Sequence, residues 1–322
     1  MNHKIALEII EDNRQFLLYS SAMALSNLAN IHKDFDDIQD EEVIMSLALN
    51  DCIVFMRFQG EYDKAIHHAE QIIERFSETR HRYYIAKLIA IIGRCQIMSQ
   101  RYDEGFDSLR KSEEMCLNEL PPSDTTTRLK ADLLHDMAMA NDLNDGDPDL
   151  SVQYLNKALA LLEDSPAQIH KGICLMGLGN IRHKQSRPAE ALEYYLKARD
   201  IFDEEYNFVN LGIAYGNLAL CYKDLGRMDL AEENINLSHE LQIRTGNHKN
   251  IATSYHNLGR FYEVKGDLEK AYINLLTSRD YAIKSGAKKV YMDCLEWLEK
   301  ISIKRNDPLN AALFREEAEK AV

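Results

Sequence analysis

One pattern of side chains returns at a fixed interval through the second half of this chain. Side chains at positions i, i+3, i+4 and i+7 lie on one face of a helix. In the clearest copy these positions are held by Tyr255, Leu258, Gly259 and Tyr262. The preceding copies hold matching residues at Tyr215, Leu218, Ala219 and Tyr222, and more loosely at Leu175, Leu178 and Gly179. An internal repeat of this kind constrains the fold more than any other property of the sequence.

A second helix follows each copy after a short turn. Gly266 ends the first helix of the clearest copy, because glycine readily adopts the left-handed conformation that closes a helix. The second helix then begins around an alanine. This position recurs at one constant interval, at Ala191, Ala231, Ala271 and Ala311. The repeating unit is therefore a helical hairpin.

The same position is traced toward the N-terminus through Ser151, Gly105 and Ala65. The step from Gly105 to Ser151 is longer by six than every other step in the series. We assign the insertion to the linker around Pro121-Pro122 and to a lengthened turn at residues 141–148. Residues 4–33 read as one long helix or as a degenerate hairpin that bends at Ser20-Ser21.

The composition limits the classes of partner that the protein can bind and indicates its cellular compartment. The formal net charge of −14 disfavours nucleic acid and anionic membrane surfaces. The N-terminus lacks the apolar core of a signal peptide, and no run of apolar residues reaches the length that spans a bilayer. The six cysteines lack the spacing of a zinc site or of a disulfide scaffold. These features predict a cytoplasmic protein.

The order of these repeated residues resembles the tetratricopeptide repeat (TPR). The resemblance rests on the leucine-glycine and tyrosine spacing of residues 255–262 and on the glycine-alanine spacing of residues 266–271. The usual repeat has about 34 residues, whereas the unit from Ala231 to Ala271 has about 40 residues. The longer variety is similar to the repeats of LGN/Pins-type scaffolds, of peptide-sensing regulators of Gram-positive bacteria and of the input regions of bacterial signalling proteins.

The resemblance implies an all-α fold, a right-handed α-solenoid of about seven TPR hairpins preceded by one or two N-terminal helices. We expect a segment at residues 1–40 that acts as a cap or as a dimerisation surface, followed by a TPR superhelix at residues 41–322. The predicted hairpins lie near 41–78, 81–117, 125–163, 165–203, 206–244, 246–284 and 287–322.

In this family the first helix of each hairpin lines a concave groove that suits a peptide or another protein's helix. Counting back from the second-helix alanine predicts the side chains that face this groove. The predicted groove is more basic than the whole protein, so an acidic ligand or a C-terminal carboxylate would suit the groove. The candidate ligand-binding residues are Lys87, Arg94, Asn180, Lys184, Asn217, Lys223, Asn257 and Arg260.

The most specific signal is the pair Asn217 and Asn257, which occupy the same position in adjacent repeats. A carboxamide offers both donors and an acceptor, so it can hold the backbone of an extended peptide whatever its sequence. Asparagines on the groove do this in peptide-binding members of the family. The alternative is that these asparagines only bond to the neighbouring hairpin. Both interpretations stay open at this point.

No pattern of catalytic residues, metal ligands or phosphate-binding glycines is present in the sequence. We therefore expect a protein that is not an enzyme, without cofactor or metal, which binds a peptide or protein segment and forms the regulatory part of a bacterial signalling protein. The alternative is a peptide-regulated phosphatase of response regulators, in which the N-terminal helices with Gln15 would act on a phospho-aspartate. A third hypothesis makes those helices the interface of a homodimer.

Overall fold

The computed structural model of the chain describes residues 7–10, 40–56 and 60–321. In this part of the chain the regular structure is entirely helical, and the predicted all-α helical repeat fold is confirmed. The helices are α1 (Glu41–Val54), α2 (Tyr62–Arg75), α3 (Arg82–Met98), α4 (Tyr102–Asn118), α5 (Asp124–Leu143), α6 (Pro148–Leu161), α7 (Gln168–Lys184), α8 (Pro188–Glu204), α9 (Phe208–Asp224), α10 (Met228–Thr245), α11 (His248–Val264), α12 (Leu268–Lys284), α13 (Lys288–Lys304) and α14 (Pro308–Ala321).

The helices form two compact units. Unit 1 contains α1 to α8, and unit 2 contains α9 from Leu211 onward together with α10 to α14. In each unit the odd-numbered helices are the first helices of hairpins and the even-numbered helices are the second. Most of the predicted N-terminal segment lies outside the described residues, including Gln15 and Ser20-Ser21. Residues 7–10 are helical, and Ile10 packs against Val43 and Leu47 of α1.

A left-handed residue closes the first helix of the hairpins that the repeat defines best. Gly226 and Gly266 have φ values of 74° and 81°, which glycine adopts without steric cost. The N–H of Asp267 then donates to the carbonyl of Tyr262 at 2.9 Å, which satisfies an acceptor that the helix end would leave unpaired. Ser186 takes the same conformation at the corresponding place. These are the turns that the sequence predicts.

Small side chains let the two helices of a hairpin approach closely. The repeat alanines Ala231 and Ala271 are fully buried. Two turns further along each second helix, the hydroxyls of Ser238 and Ser278 donate to carbonyl oxygens of the first helix, at 2.7 and 2.6 Å. The same bond recurs in unit 1 from Ser112. Each of these hairpins is therefore held by packing and by a buried hydrogen bond between its helices.

In the third hairpin, part of the six-residue insertion lies outside the predicted place. We expected these residues in the linker and the turn alone. Helix α5 has 20 residues, whereas α7 has 17, so part of the insertion lengthens the helix itself. The linker ends at Ser123, whose hydroxyl caps α5 by accepting from the N–H of Thr126. The extra helical residues lie at the start of α5, so the repeat positions counted back from Ser151 are nearly unchanged.

We expect Gly259→Ala to destabilise unit 2. A Cβ at this position would lie 2.6 Å from Cγ of Leu275 and 3.1 Å from the carbonyl oxygen of Ala271. Alanine gains about 1 kcal/mol over glycine inside a helix, but overpacking costs roughly 1–3 kcal/mol. Because the crowded atoms are a branch carbon and a backbone oxygen, the cost falls in the upper part of that range. The free energy of unfolding, measured by urea denaturation, should therefore show a net fall of about 1–2 kcal/mol.

The matched control is Gly216→Ala. Its Cβ would meet only Ser238 closely, with the hydroxyl oxygen at 3.1 Å, so we expect a smaller loss of stability. An unchanged or increased stability of Gly259→Ala would contradict the close crossing of α11 and α12.

Candidate ligand-binding site

Consecutive first helices pack side by side within each unit. In unit 1, α3 contacts α5 and α5 contacts α7, and in unit 2, α11 contacts α13. Equivalent positions of neighbouring repeats therefore come together on one surface. We call the surface formed in unit 2 by Asn217, Asn257, Arg260, Asp293 and Trp297 the first-helix face.

The two predicted asparagines lie on neighbouring first helices of this face. Asn217 is half-buried on α9, and Asn257 is half-buried on α11. Nδ2 of Asn257 lies 3.8 Å from the place that a Cβ on Gly216 would occupy, so its carboxamide reaches the backbone beside Asn217. The structure thus brings both amides to one face, one step apart in the repeat.

Arg260 follows Asn257 by one turn of α11 and stacks on an indole ring. Its guanidinium carbon lies 5.0 Å from the ring centroid of Trp297 on α13. Within the described part of the chain Arg260 forms no ion pair, and its Nε is buried without a hydrogen-bond partner. Burial raises the pKa of the Asp293 carboxyl, against the opposing charges of Lys289 and Arg260. The first-helix face thus presents a fixed cation.

His256 lies beside Arg260 and is buried, with 8% of its surface exposed. Its Nε2 has no hydrogen-bond partner among the residues that the structure describes. Burial lowers the pKa of His256 to about 4, and the positive charge of Arg260 adds to this effect. The ring is therefore neutral at physiological pH, and the charge near it belongs to Arg260.

An apolar depression of about 370 Å³ adjoins the ring of Trp297. Ile301 and Ile303 line it together with Trp297, and 57% of Ile303 is exposed. Lys304 forms an ion pair with Glu263 at its edge. Trp297 was not among the predicted residues, although it stands one repeat length after Asn257 and so holds the same repeat position. Extending the repeat frame by one unit would have found it.

The other predicted groove residues bond to groups of the protein itself. In unit 1, Arg94 donates to Asp136 at 2.7 and 2.9 Å. Lys184 contacts both Asp142 and Asp145 in the turn of the preceding hairpin. Their role in binding a ligand stays a prediction, but each would have to exchange an existing partner for the ligand.

The remaining predicted residues contact side chains within their own hairpin. Asn180 accepts a hydrogen bond of 2.8 Å from the hydroxyl of Tyr195, on the second helix of its own hairpin. Nζ of Lys87 lies 3.2 Å from the hydroxyl of Tyr83. In unit 2, Lys223 lies 3.3 Å from the carboxylate of Asp224. The bond of Asn180 thus joins the two helices of its own hairpin, whereas the alternative expected a bond to the neighbouring hairpin.

The partner of Arg94 was likewise absent from the predicted residues. Asp136 lies on α5 and is 2% exposed, whereas a quarter of Arg94 is exposed. Burial alone would raise the pKa of the Asp136 carboxyl, but the charges and hydrogen bonds of Arg94 and His135 together hold the pKa below its usual value. His135 lies 3.4 Å from the same carboxylate. The irregular turn at residues 141–148 made the repeat frame of this hairpin uncertain, so no groove residue was predicted on α5.

Few of the described side chains are placed for covalent or metal chemistry. All six cysteines are buried and free of disulfides. Burial raises the pKa of the Cys174 and Cys221 thiols to about 12, so the thiolate form is scarce at neutral pH. Within the described ranges, three or more potential metal-binding side chains are nowhere grouped closely enough to hold an ion. In the same ranges every helix is too short or too polar to cross a bilayer.

The family is decided by two stretches of sequence together with the helical repeat fold. Residues 129–204 and 210–280 match the family model described as tetratricopeptide repeat. This chain contains tetratricopeptide repeats. No protein with a curated description matches its sequence.

Solved structures of diverse activity share the fold of this TPR protein. Aspartyl phosphate phosphatase F from Bacillus subtilis is 14% identical over 100% of this chain and 94% of its own, with a TM-score of 0.64. NprR in complex with its cognate peptide NprX is 14% identical over 98% of this chain and 89% of its own, with a TM-score of 0.63. The APC/C hetero-tetramer Cut9-Hcn1 is 14% identical over 97% of this chain and 52% of its own, with a TM-score of 0.68. At this identity the likeness concerns the fold alone.

We expect Arg94→Met to destabilise the TPR protein by about 3 kcal/mol, because it leaves the buried carboxylate of Asp136 without its cation. The double variant Arg94→Met/Asp136→Leu, which removes both charges, should recover most of this loss. Urea denaturation at pH 7 measures both. A single variant as stable as wild type would show that Arg94 is available for a ligand.

We also expect the stability to depend on pH through His256. The unfolded ring protonates near its ordinary pKa of 6.5 and the folded ring near 4, so the unfolded state binds the extra proton between these values. The free energy of unfolding should therefore fall as the pH decreases from 6.5 to 4, by up to about 3 kcal/mol from this group. In His256→Gln the fall should be smaller by that amount. Equal slopes in wild type and variant would contradict a neutral, buried His256.

Proposed function

We propose that this TPR protein is a non-catalytic interaction or sensor module that binds an extended peptide or protein segment on the first-helix face of unit 2. The observation that carries the proposal is the placement of Asn217 and Asn257 at one repeat position on neighbouring first helices, beside the stacked Arg260. The arrangement places a carboxamide, which both donates and accepts hydrogen bonds, at the same position of two neighbouring repeats.

The spacing of the two amides suits an extended backbone. Packed helices lie about 8–10 Å apart, and an extended chain advances roughly 3.3 Å per residue. Asn217 and Asn257 would therefore meet backbone groups about three residues apart. A carboxamide has two donor hydrogens and an acceptor oxygen, so each asparagine can pair with an N–H and a C=O group of an extended backbone. Trp297 and the apolar depression beside it would accept a hydrophobic side chain of the same segment.

Two of the similar structures support a role in binding proteins or peptides. NprR is described with its cognate peptide, and Cut9 is described in an assembly with Hcn1. From this we infer that the chain is a regulatory part of a bacterial signalling protein, in which ligand binding alters the packing between repeats. Acidity of the ligand and dimerisation through residues 1–40 remain proposals.

The likeness to an aspartyl phosphate phosphatase favours a second candidate, because it extends over 100% of this chain. In this alternative the N-terminal helices would act on the phospho-aspartate of a response regulator, and a peptide would regulate them. Accelerated loss of phosphate from a phosphorylated response regulator on addition of the protein would favour this candidate over a binding module alone.

The binding proposal predicts that Asn217→Ala/Asn257→Ala weakens capture of peptides. Each lost hydrogen bond costs about 1 kcal/mol, so the dissociation constant should rise roughly 10- to 30-fold. A peptide-array screen with wild type supplies the binders, and fluorescence anisotropy of the labelled peptides measures the affinity of each variant.

The control for this experiment is Asn274→Ala. The Asn274 carboxamide lies on the second helix α12 and donates to the carbonyl of Lys270, away from the first-helix face. This variant should bind like wild type. If the double variant folds and keeps the full affinity for every captured peptide, the two asparagines do not hold the ligand.

A further inference from the structure

The turn that joins α8 to α9 in unit 1 presents two aromatic side chains to solvent. Tyr206 is 71% exposed and Phe208 is 41% exposed. Every other tyrosine of the described residues is buried or half-buried. Protein interfaces are enriched in aromatic side chains, because a large ring gains much when a partner removes it from water. Two exposed rings on one turn therefore indicate a surface that another molecule covers.

The fold itself does not require an aromatic residue at this turn. One and two repeat lengths after Tyr206, the same position is held by Gly246 and Gly286. All three residues have positive φ, at 53°, 71° and 63°. Glycine adopts this conformation without steric cost, whereas a residue with a Cβ does not. Tyr206 neither eases the turn nor packs in the core, so the fold gives no reason for a ring at this position.

Hydrogen bonds of the turn hold both rings in place. Between them Asn207 is fully buried, and its N–H donates to the carbonyl of Phe202 at 2.8 Å. Its Oδ1 accepts from the N–H of Asn210 at 3.1 Å and caps α9. Because the backbone is fixed before a partner arrives, Tyr206 and Phe208 lose little conformational freedom on binding.

Three carboxylates precede Tyr206 and give this surface its charge. Asp203 and Glu204 are exposed at the end of α8, and Glu205 is half-buried. Within the part of the chain that the structure describes, none of the three forms an ion pair. The arginine nearest to them in sequence pairs with Asp200 instead. Adjacent like charges repel one another, and a cationic group of a partner would relieve this repulsion.

We propose that residues 203–208, which we call the acidic aromatic turn, bind a basic segment of another protein, with arginine as the preferred contact. A guanidinium can pair with a carboxylate and stack on the ring of Tyr206 at the same time. An apolar neighbour of the arginine can cover Phe208. The acidic aromatic turn belongs to unit 1 and the first-helix face to unit 2, so the inference does not depend on the proposed function.

The probes are three pools of octapeptides with random uncharged flanks, a fluorescent label at the N-terminus and an amidated C-terminus. The central pair of residues is Arg-Leu in the first pool, Lys-Leu in the second and Gln-Leu in the third. Fluorescence anisotropy with the full chain gives the apparent dissociation constant of each pool at low and at high salt.

Wild type should bind the Arg-Leu pool at least about tenfold more tightly than the Gln-Leu pool, as expected for contacts to a charged group. The Lys-Leu pool should lie between them, because an ammonium stacks less well on a ring than a guanidinium does. High salt should reduce the preference. Tyr206→Phe should keep it, since the ring and not the hydroxyl makes the contact.

The variant Tyr206→Gly separates binding from folding. It restores the glycine of the equivalent turns, so the midpoint of urea denaturation should be no lower than that of wild type. The preference for the Arg-Leu pool should nevertheless be lost. A structural role of the tyrosine would give the opposite result, a lower midpoint with the preference intact, and would overturn the inference.

Neutralising the carboxylates tests the charge of the turn. The variant Asp203→Asn/Glu204→Gln/Glu205→Gln should lose most of the preference for the Arg-Leu pool. The matched control is Asp103→Asn/Glu104→Gln/Asp107→Asn, which makes the same change of net charge on exposed residues of α4. This control should keep the preference.

Four further outcomes overturn the inference. One is equal affinity of wild type for the Arg-Leu and Gln-Leu pools. Another is an equal loss of preference in the control and the neutralised turn, which would assign binding to net charge alone. Loss of the preference in Asn217→Ala/Asn257→Ala would place the basic segment on the first-helix face. A dimer of wild type that Tyr206→Gly dissociates, measured by sedimentation at several concentrations, would make a second copy of the chain the occupant.

Discussion

The close crossing of two helices within each hairpin is the contact on which the rest of this structure depends. A hairpin can form only if the second helix places a small side chain against the first, and Ala231 and Ala271 do so without any exposed surface. The serines that follow them bond to carbonyl oxygens of the first helix. With the second helix fixed in this way, the opposite side of the first helix is left for neighbouring repeats and for a ligand.

This arrangement explains why so much of the fold could be predicted from the sequence. The small residues recur at a fixed interval because every hairpin has the same crossing, and the interval then gives the helices. Helices α11 and α12, at His248–Val264 and Leu268–Lys284, fall inside the hairpin predicted at residues 246–284. The exception is α5, where added residues extend a helix. The longer step from Gly105 to Ser151 shows that an insertion is present, but an apolar pattern that continues unbroken does not show that the helix contains part of it.

The candidate site could be predicted only in part, since the repeat frame gives the face of a helix but not the partner of a side chain. The frame places Asn217, Asn257 and Arg260 on one surface, as the structure does. It gives no warning that Arg94 bonds to a carboxylate on another repeat. This pairing of charges joins side chains on two different repeats, and the repeat pattern does not specify either charge. The difference between Arg94 and Arg260 is thus visible only in three dimensions.

The backbone strain at the turns between helices differs between unit 1 and unit 2. Among the described residues of unit 1, four that are not glycine have positive φ, namely Gln100, Asp145, Ser186 and Tyr206, whereas unit 2 uses glycine at four such places between residues 226 and 286 and Asn306 once. A left-handed conformation costs a residue with a Cβ roughly 1 kcal/mol or more, and glycine almost nothing. Local opening of the backbone should therefore be more frequent at the hinges of unit 1. Unit 2 places glycine at most of these positions and so carries less of this strain.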